Sequence, residues 1–79
     1  MYVLVREIEK YILQLKKNAK TEGNNCLVLT SKVIHDDMGL KQRMPSVCNA
    51  MRNMMNGTDE ILHVTPSGYS STFQVKYYL

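Results

Sequence analysis

The chain has 79 residues and is short of several things that specialised folds require. Two cysteines, Cys26 and Cys48, are too few for a disulfide framework. Two reduced thiols in a cytoplasmic protein are the expectation. The two histidines, His35 and His63, lie far apart with no cysteine or second histidine at metal-ligand spacing, so no zinc site is expected. No apolar run approaches the roughly 18–20 residues of a membrane span. No charged segment leading into an apolar one marks a secretory signal. A glycine-rich phosphate loop is missing. Asp36 and Asp37 are sequence neighbours that point different ways on a helix, so they do not form a paired acid and base. No histidine is placed by sequence to activate Cys48 as a nucleophile. The expectation is no enzyme activity, no cofactor and no small-molecule substrate.

What is present suits one small folded domain spanning residues 1–79. Charged residues are 22% and hydrophobic residues 44%. Those shares are ordinary for a globular chain and too apolar for a disordered one. At this length only roughly 60–65% of the unfolded surface is buried on folding, so the core must be continuous. The net charge is +3. Its placement is uneven. Residues 1–20 carry Arg6, Lys10, Lys16, Lys17 and Lys20 against Glu7 and Glu9. Residues 31–56 carry Lys32, Lys41, Arg43 and Arg52 against Asp36 and Asp37. A polyanionic partner fits this distribution without being required by it.

Residues 3–20 read as an amphipathic helix. Leu4, Val5, Ile8, Tyr11, Ile12 and Leu15 form one apolar stripe at helical period. Arg6, Glu9, Lys10, Lys16 and Lys17 lie mostly off it. Gly23, Asn24 and Asn25 end the helix. Residues 26–29 are a short β-prone run. Thr30 or Ser31 is the expected N-cap of a short helix over 32–38, with Val33, Ile34 and Met38 on its apolar side and Gly39 as its stop. Pro45 suits the first turn of a third helix running to Asn56. Val47, Ala50, Met51 and Met54 mark its buried stripe, with Cys48 or Met55 beside it. Residues 60–65 and 71–78 read as two strands around a loop at 66–70. The order is helix, strand, helix, helix, strand, strand. It predicts an α+β fold with three helices on a small antiparallel sheet.

The stretch Leu29-Thr30-Ser31-Lys32-Val33-Ile34, then Met38-Gly39-Leu40, then residues 47–54 and a hairpin resembles the winged helix-turn-helix family over nearly the whole chain. The chain departs from the pattern at His35, where such proteins have a small alanine, and in a longer turn before Val47. The resemblance implies a small DNA-binding domain whose third helix enters the major groove.

The residues suit that chemistry. Ser46, Asn49, Arg52 and Asn53 are expected on the outer side of the third helix. Asparagine pairs bidentately with adenine and arginine with guanine. Lys41, Gln42 and Arg43 precede this helix, at the groove edge. Lys32, Ser31 and the free N–H groups at the start of the second helix are candidates for phosphate. The hairpin loop has no lysine or arginine. Tyr69, its hydroxyl neighbours and the Gly68 N–H are its candidate contacts. Met38, Met44, Met51, Met54 and Met55 read as adaptable core filling. The main expectation is a sequence-specific double-stranded DNA-binding protein acting as a small transcriptional regulator. It would pair as a homodimer through the first helix, with Tyr2, Val3 and Leu13 flanking its stripe, or through the tail Tyr77-Tyr78-Leu79. The alternative is a winged-helix protein-interaction module without direct DNA contact. RNA or single-stranded binding fits less well, because clustered exposed aromatics are missing.

Overall fold

A computed structural model describes the backbone of residues 2–66 and 71–79 and the side chains of residues 4–66 and 71–79. Its elements are helix α1 (Tyr2–Thr21), strand β1 (Cys26–Thr30), helices α2 (Ser31–Asp37) and α3 (Met44–Asn53), and strands β2 (Glu60–His63) and β3 (Gln74–Tyr78). The strands form one antiparallel sheet in the order β1-β3-β2. β3, last in sequence, is thus the middle strand. The chain is a small α+β fold with three helices and a three-stranded sheet.

The alternation of β3 explains where the core sits. Val75 and Tyr77 point inward and are fully buried, while Gln74 and Lys76 face the other way and are half-exposed. Leu29 pairs with Val75, and Leu27 with Tyr77, on the inner face. Phe73 enters the same cluster just before the strand. Above it lie Ile8 and Ile12 of α1, Ile34 of α2, and Val47, Cys48, Ala50 and Met51 of α3. Leu4, Val5, Tyr11 and Leu15 pack around this centre, as the α1 stripe predicts. Met51 is fully buried, and Met38, Met44, Met54 and Met55 pack against the cluster. No described helix is long and apolar enough to cross a membrane. Cys26 and Cys48 are free thiols.

Several boundaries and faces differ from the sequence reading, each for a local reason. α3 stops at Asn53, three residues early. The Asp59 side chain accepts the Asn56 N–H at 2.8 Å, while the Asp59 N–H donates to the Asn56 carbonyl at 3.1 Å. That reciprocal turn draws Asn56 out of the helix. β2 is shorter than predicted: its last pair is His63 with Gln74, where β3 begins, and a register shift lies between Ile61 and His63. All four of its residues are exposed. On α2, Val33 is 53% exposed, and Ser31 takes the inner position with none of its surface exposed. Lys16, expected off the α1 stripe, is half-buried. Its Nζ lies 4.4 Å from the centre of the Tyr77 ring.

The C-terminal end of α3 shows how the sheet and α1 hold this helix. A helix leaves its last carbonyls without intrahelical donors. The Met55 N–H turns back to the Arg52 carbonyl at 3.1 Å, so Met51 has no donor four residues on. The buried Tyr77 hydroxyl donates to the Met51 carbonyl at 2.7 Å. The Lys16 ammonium donates to the Met54 carbonyl at 3.0 Å, a cation at the negative end of the helix. Burial pushes the Tyr77 phenol well above the ordinary tyrosine value of 10.0, and the negative charge of Asp59 adds to the shift.

This arrangement predicts two effects of Tyr77→Phe. At neutral pH the Met51 carbonyl loses its donor, which costs about 1–2 kcal/mol. Each lost kcal/mol lowers Tm by roughly 4–8 °C in a domain this small. The phenol is harder to ionise folded than unfolded. The stability it contributes is therefore complete below pH 10.0 and declines as pH rises past that value. Urea unfolding of both proteins across this range is expected to show a shallower alkaline decline for the variant.

Candidate nucleic-acid interface

The connection between α2 and α3 is built from hydrogen bonds that close α2 and open α3. Gly39 sits just past the end of α2 with φ +66, a conformation glycine adopts without strain. The Met38, Gly39 and Leu40 N–H groups donate to the carbonyls of Ile34, Asp36 and His35, each at 3.0 Å. Leu40 packs against the core and anchors the turn. Lys41, Gln42 and Arg43 follow, all exposed. Gln42 has φ +52, unusual for a residue with a side chain. Arg43 is the N-cap of α3 and makes no side-chain cap bond. Its backbone N–H instead donates to Nε2 of His35 at 3.2 Å. Its guanidinium reaches back to the Gln42 carbonyl at 3.4 Å.

α3 buries Val47, Cys48, Ala50 and Met51, which leaves a narrow outer strip. At 3.6 residues per turn, Pro45, Ser46, Asn49, Arg52 and Asn53 fall within about 120° of arc. The structure divides them. Asn49 is exposed at the centre of the strip, and Ser46 is half-buried at its edge. Arg52 is half-buried, with its guanidinium carbon 4.6 Å from the centre of the buried Phe73 ring. Asn53 is exposed, but its amide donates to the Glu9 carboxylate of α1 at 3.2 Å. Two of the residues expected to face a groove therefore also hold the helix in place.

The start of α2 corrects the sequence reading. Its first two N–H groups are taken within the chain and are not free for an anion. The Ser31 N–H donates to the Phe73 carbonyl at 2.9 Å and the Lys32 N–H to the Ser71 carbonyl at 3.2 Å. Ser31 itself is fully buried, so its hydroxyl cannot reach a phosphate. Lys32 is exposed and pairs with Asp36 one turn on at 2.8 Å. That hydrogen bond is the main reason the Asp36 carboxyl lies below its ordinary range; desolvation opposes it, and the lysine charge adds to it. An exposed pair of this kind is weak and exchangeable. Tyr69, with Ser67, Gly68 and Ser70, lies outside the described residues. In the tail, Tyr77 is inside the core. The Tyr78 hydroxyl donates to Glu60 at 2.8 Å, which raises its phenol above the ordinary range.

Sequence reasoning missed His35, Glu9, Lys16 and Asp59 as parts of this framework. Only His35 carried a signal, a bulky polar residue where a small one was expected. Among the described residues no three histidine, cysteine or acidic side chains gather as a metal site. No family model matches the chain, and no match was found among curated proteins or solved structures.

The division of the outer strip separates two substitutions. Arg52→Ala uncovers the Phe73 ring and is expected to cost about 0.5–1 kcal/mol of stability. Asn49→Ala touches no packed group and stays within about 0.5 kcal/mol of the parent. Thermal unfolding checks this; equal losses at both positions would contradict the division.

Proposed function

We propose that the chain is a winged helix-turn-helix protein that binds double-stranded DNA sequence-specifically, as a small transcriptional regulator. One observation carries the reading. Asn49 stands exposed at the centre of the outer strip of α3, and the exposed Lys41, Gln42 and Arg43 sit at the N-terminal end of the same helix. A major groove admits one helix, and an asparagine at its centre offers an adenine a donor and an acceptor at once. Cations at the leading end meet the phosphates beside the groove. Lys32 joins them when a phosphate replaces Asp36 as its partner. Arg52 and Asn53 serve mainly to fix the angle of α3, and Ser46 lines its margin. The exposed Leu13, beside an open groove lined by Arg6, Glu9, Lys10 and Met54, supports α1 as the pairing surface of a homodimer.

A second reading, a protein-interaction module of the same fold, is favoured by one feature. Ile61, Leu62 and Val64 of the hairpin are each 45–47% exposed. An apolar wing suits a protein partner better than a phosphate backbone.

Salt separates the two. Contacts from Lys32, Lys41 and Arg43 to three phosphates predict a log–log slope of about −2.7, or roughly a fortyfold loss over a fourfold rise in salt. Fluorescence anisotropy on a duplex selected from a random pool measures it. A flat response, or no selected sequence, would count against DNA. Asn49→Ala is expected to reduce discrimination between the selected duplex and a scrambled one by about tenfold or more. Its affinity for the scrambled duplex should change little.

A further inference from the structure

We infer that His35 is the positioning residue of the interface and that it holds α3 in its binding orientation only while its imidazole is neutral. The inference rests on the DNA-binding reading for its consequence and on geometry for its mechanism. His35 ties down both ends of the turn between α2 and α3. Its carbonyl accepts the Leu40 N–H at 3.0 Å where the turn begins. Its Nε2 accepts the Arg43 N–H at 3.2 Å where the turn ends and α3 starts. Between these points lie Lys41 and the left-handed Gln42. A left-handed glutamine persists only where its surroundings over-determine it. The Arg43 N–H bond to His35 and the Arg43 guanidinium on the Gln42 carbonyl provide that restraint.

The chemistry of imidazole makes this bond conditional. Neutral imidazole has one acceptor nitrogen; the protonated ring has none. Accepting from Arg43 at Nε2 places the ring proton on Nδ1, which faces Asp36 Oδ1 at 3.7 Å. On protonation, Nε2–H meets the Arg43 N–H donor to donor, and the bond is lost. The groups around the ring favour opening. Asp36 offers the imidazolium a partner at Nδ1, although its other oxygen is held by Lys32. Arg43 repels it from the turn. Among titratable side chains α3 carries only Cys48 and Arg52, and β1 only Cys26. α1 meets this end of α2 through the Tyr11 hydroxyl on Asp37 at 3.2 Å. Once the bond is lost, Lys41, Gln42, Arg43 and the first turn of α3 are free to move together. Sequence discrimination then falls, although the added positive charge maintains loose attraction to DNA.

Glutamine and asparagine place their acceptor oxygens differently. Gln Oε1 reaches where Nε2 sits; Asn Oδ1 reaches only where Nδ1 sits. The test compares wild type, His35→Gln, His35→Asn and His35→Ala as full-length chains. Amide hydrogen exchange at Arg43 is followed by NMR at neutral and acidic pH. Binding to the selected and scrambled duplexes is measured in parallel. Arg43 is expected to be protected in the wild type at neutral pH and to lose protection on acidification together with the His35 ring titration. The Gln variant should keep protection at both pH values, and the Asn and Ala variants should lose it at both. Affinity for the selected duplex should fall roughly two- to tenfold in Asn and Ala, as expected for one lost hydrogen bond, and be restored in Gln with a flat pH profile. Equal Arg43 protection in wild type and Ala, or a folded Gln variant that fails to restore it, overturns the bond as the restraint. Restored protection without restored discrimination overturns its role in binding. A wild type that binds no duplex at either pH refutes the DNA reading and the binding role with it, while the exchange data still decide the bond.

Discussion

The structure depends on how the carbonyl end of α3 is satisfied. A helix that stops inside a small domain leaves acceptors facing an apolar core, and each one left bare costs as much as a lost hydrogen bond. The Tyr77 hydroxyl from the middle strand fills this need at Met51, and the Lys16 ammonium from α1 fills it at Met54. Among the described residues the tyrosine is also the largest fully buried side chain. One residue thus supplies both apolar volume and a directional bond. It links the sheet to the helix at a fixed angle, and Lys16 over its ring brings α1 into the same junction.

With one end of α3 pinned by Tyr77 and the other by His35, its outer strip has little freedom to turn. This has a consequence for how the helix is used. Four of its ten residues are fully buried. Arg52 shields Phe73, and Asn53 ties the helix to Glu9. The side chain left without a structural task at the centre is Asn49. The positive charge near it comes from the turn, where exposed cations do not compete with packing. Scaffold and proposed recognition therefore occupy different residues of one short helix.

Much of the fold was legible from apolar spacing. The α1 stripe, the buried face of α3 and the alternation in β3 are periodic signals, and burial reproduces them. Spacing failed where a residue's role is set by a partner distant in sequence. Of the two expected cap residues Thr30 takes the N-cap position, without a side-chain cap bond. Docking of α2 onto the chain before β3 buries Ser31 and leaves Val33, expected in the core, exposed. The first two N–H groups of α2 looked free because the carbonyls of Ser71 and Phe73, which consume them, lie some forty residues away. Asp59 ends α3 from outside the helix, and no helical pattern reports it. The candidate site was legible in its exposed members, Asn49 and the Lys41 to Arg43 turn. Nothing in the spacing showed that Arg52 and Asn53 had structural duties, because polar side chains on an outer face look alike until their neighbours are known.

β2 leaves one margin of the sheet open, and its large side chains are poorly covered. Such a margin is a template on which further chains stack. The shift between Ile61 and His63 sets a limit on this. An extra residue there bends the strand and breaks the even ladder of donors and acceptors that an incoming strand would need. The irregularity within β2 therefore works against an incoming strand at this margin, while its large apolar side chains stay exposed.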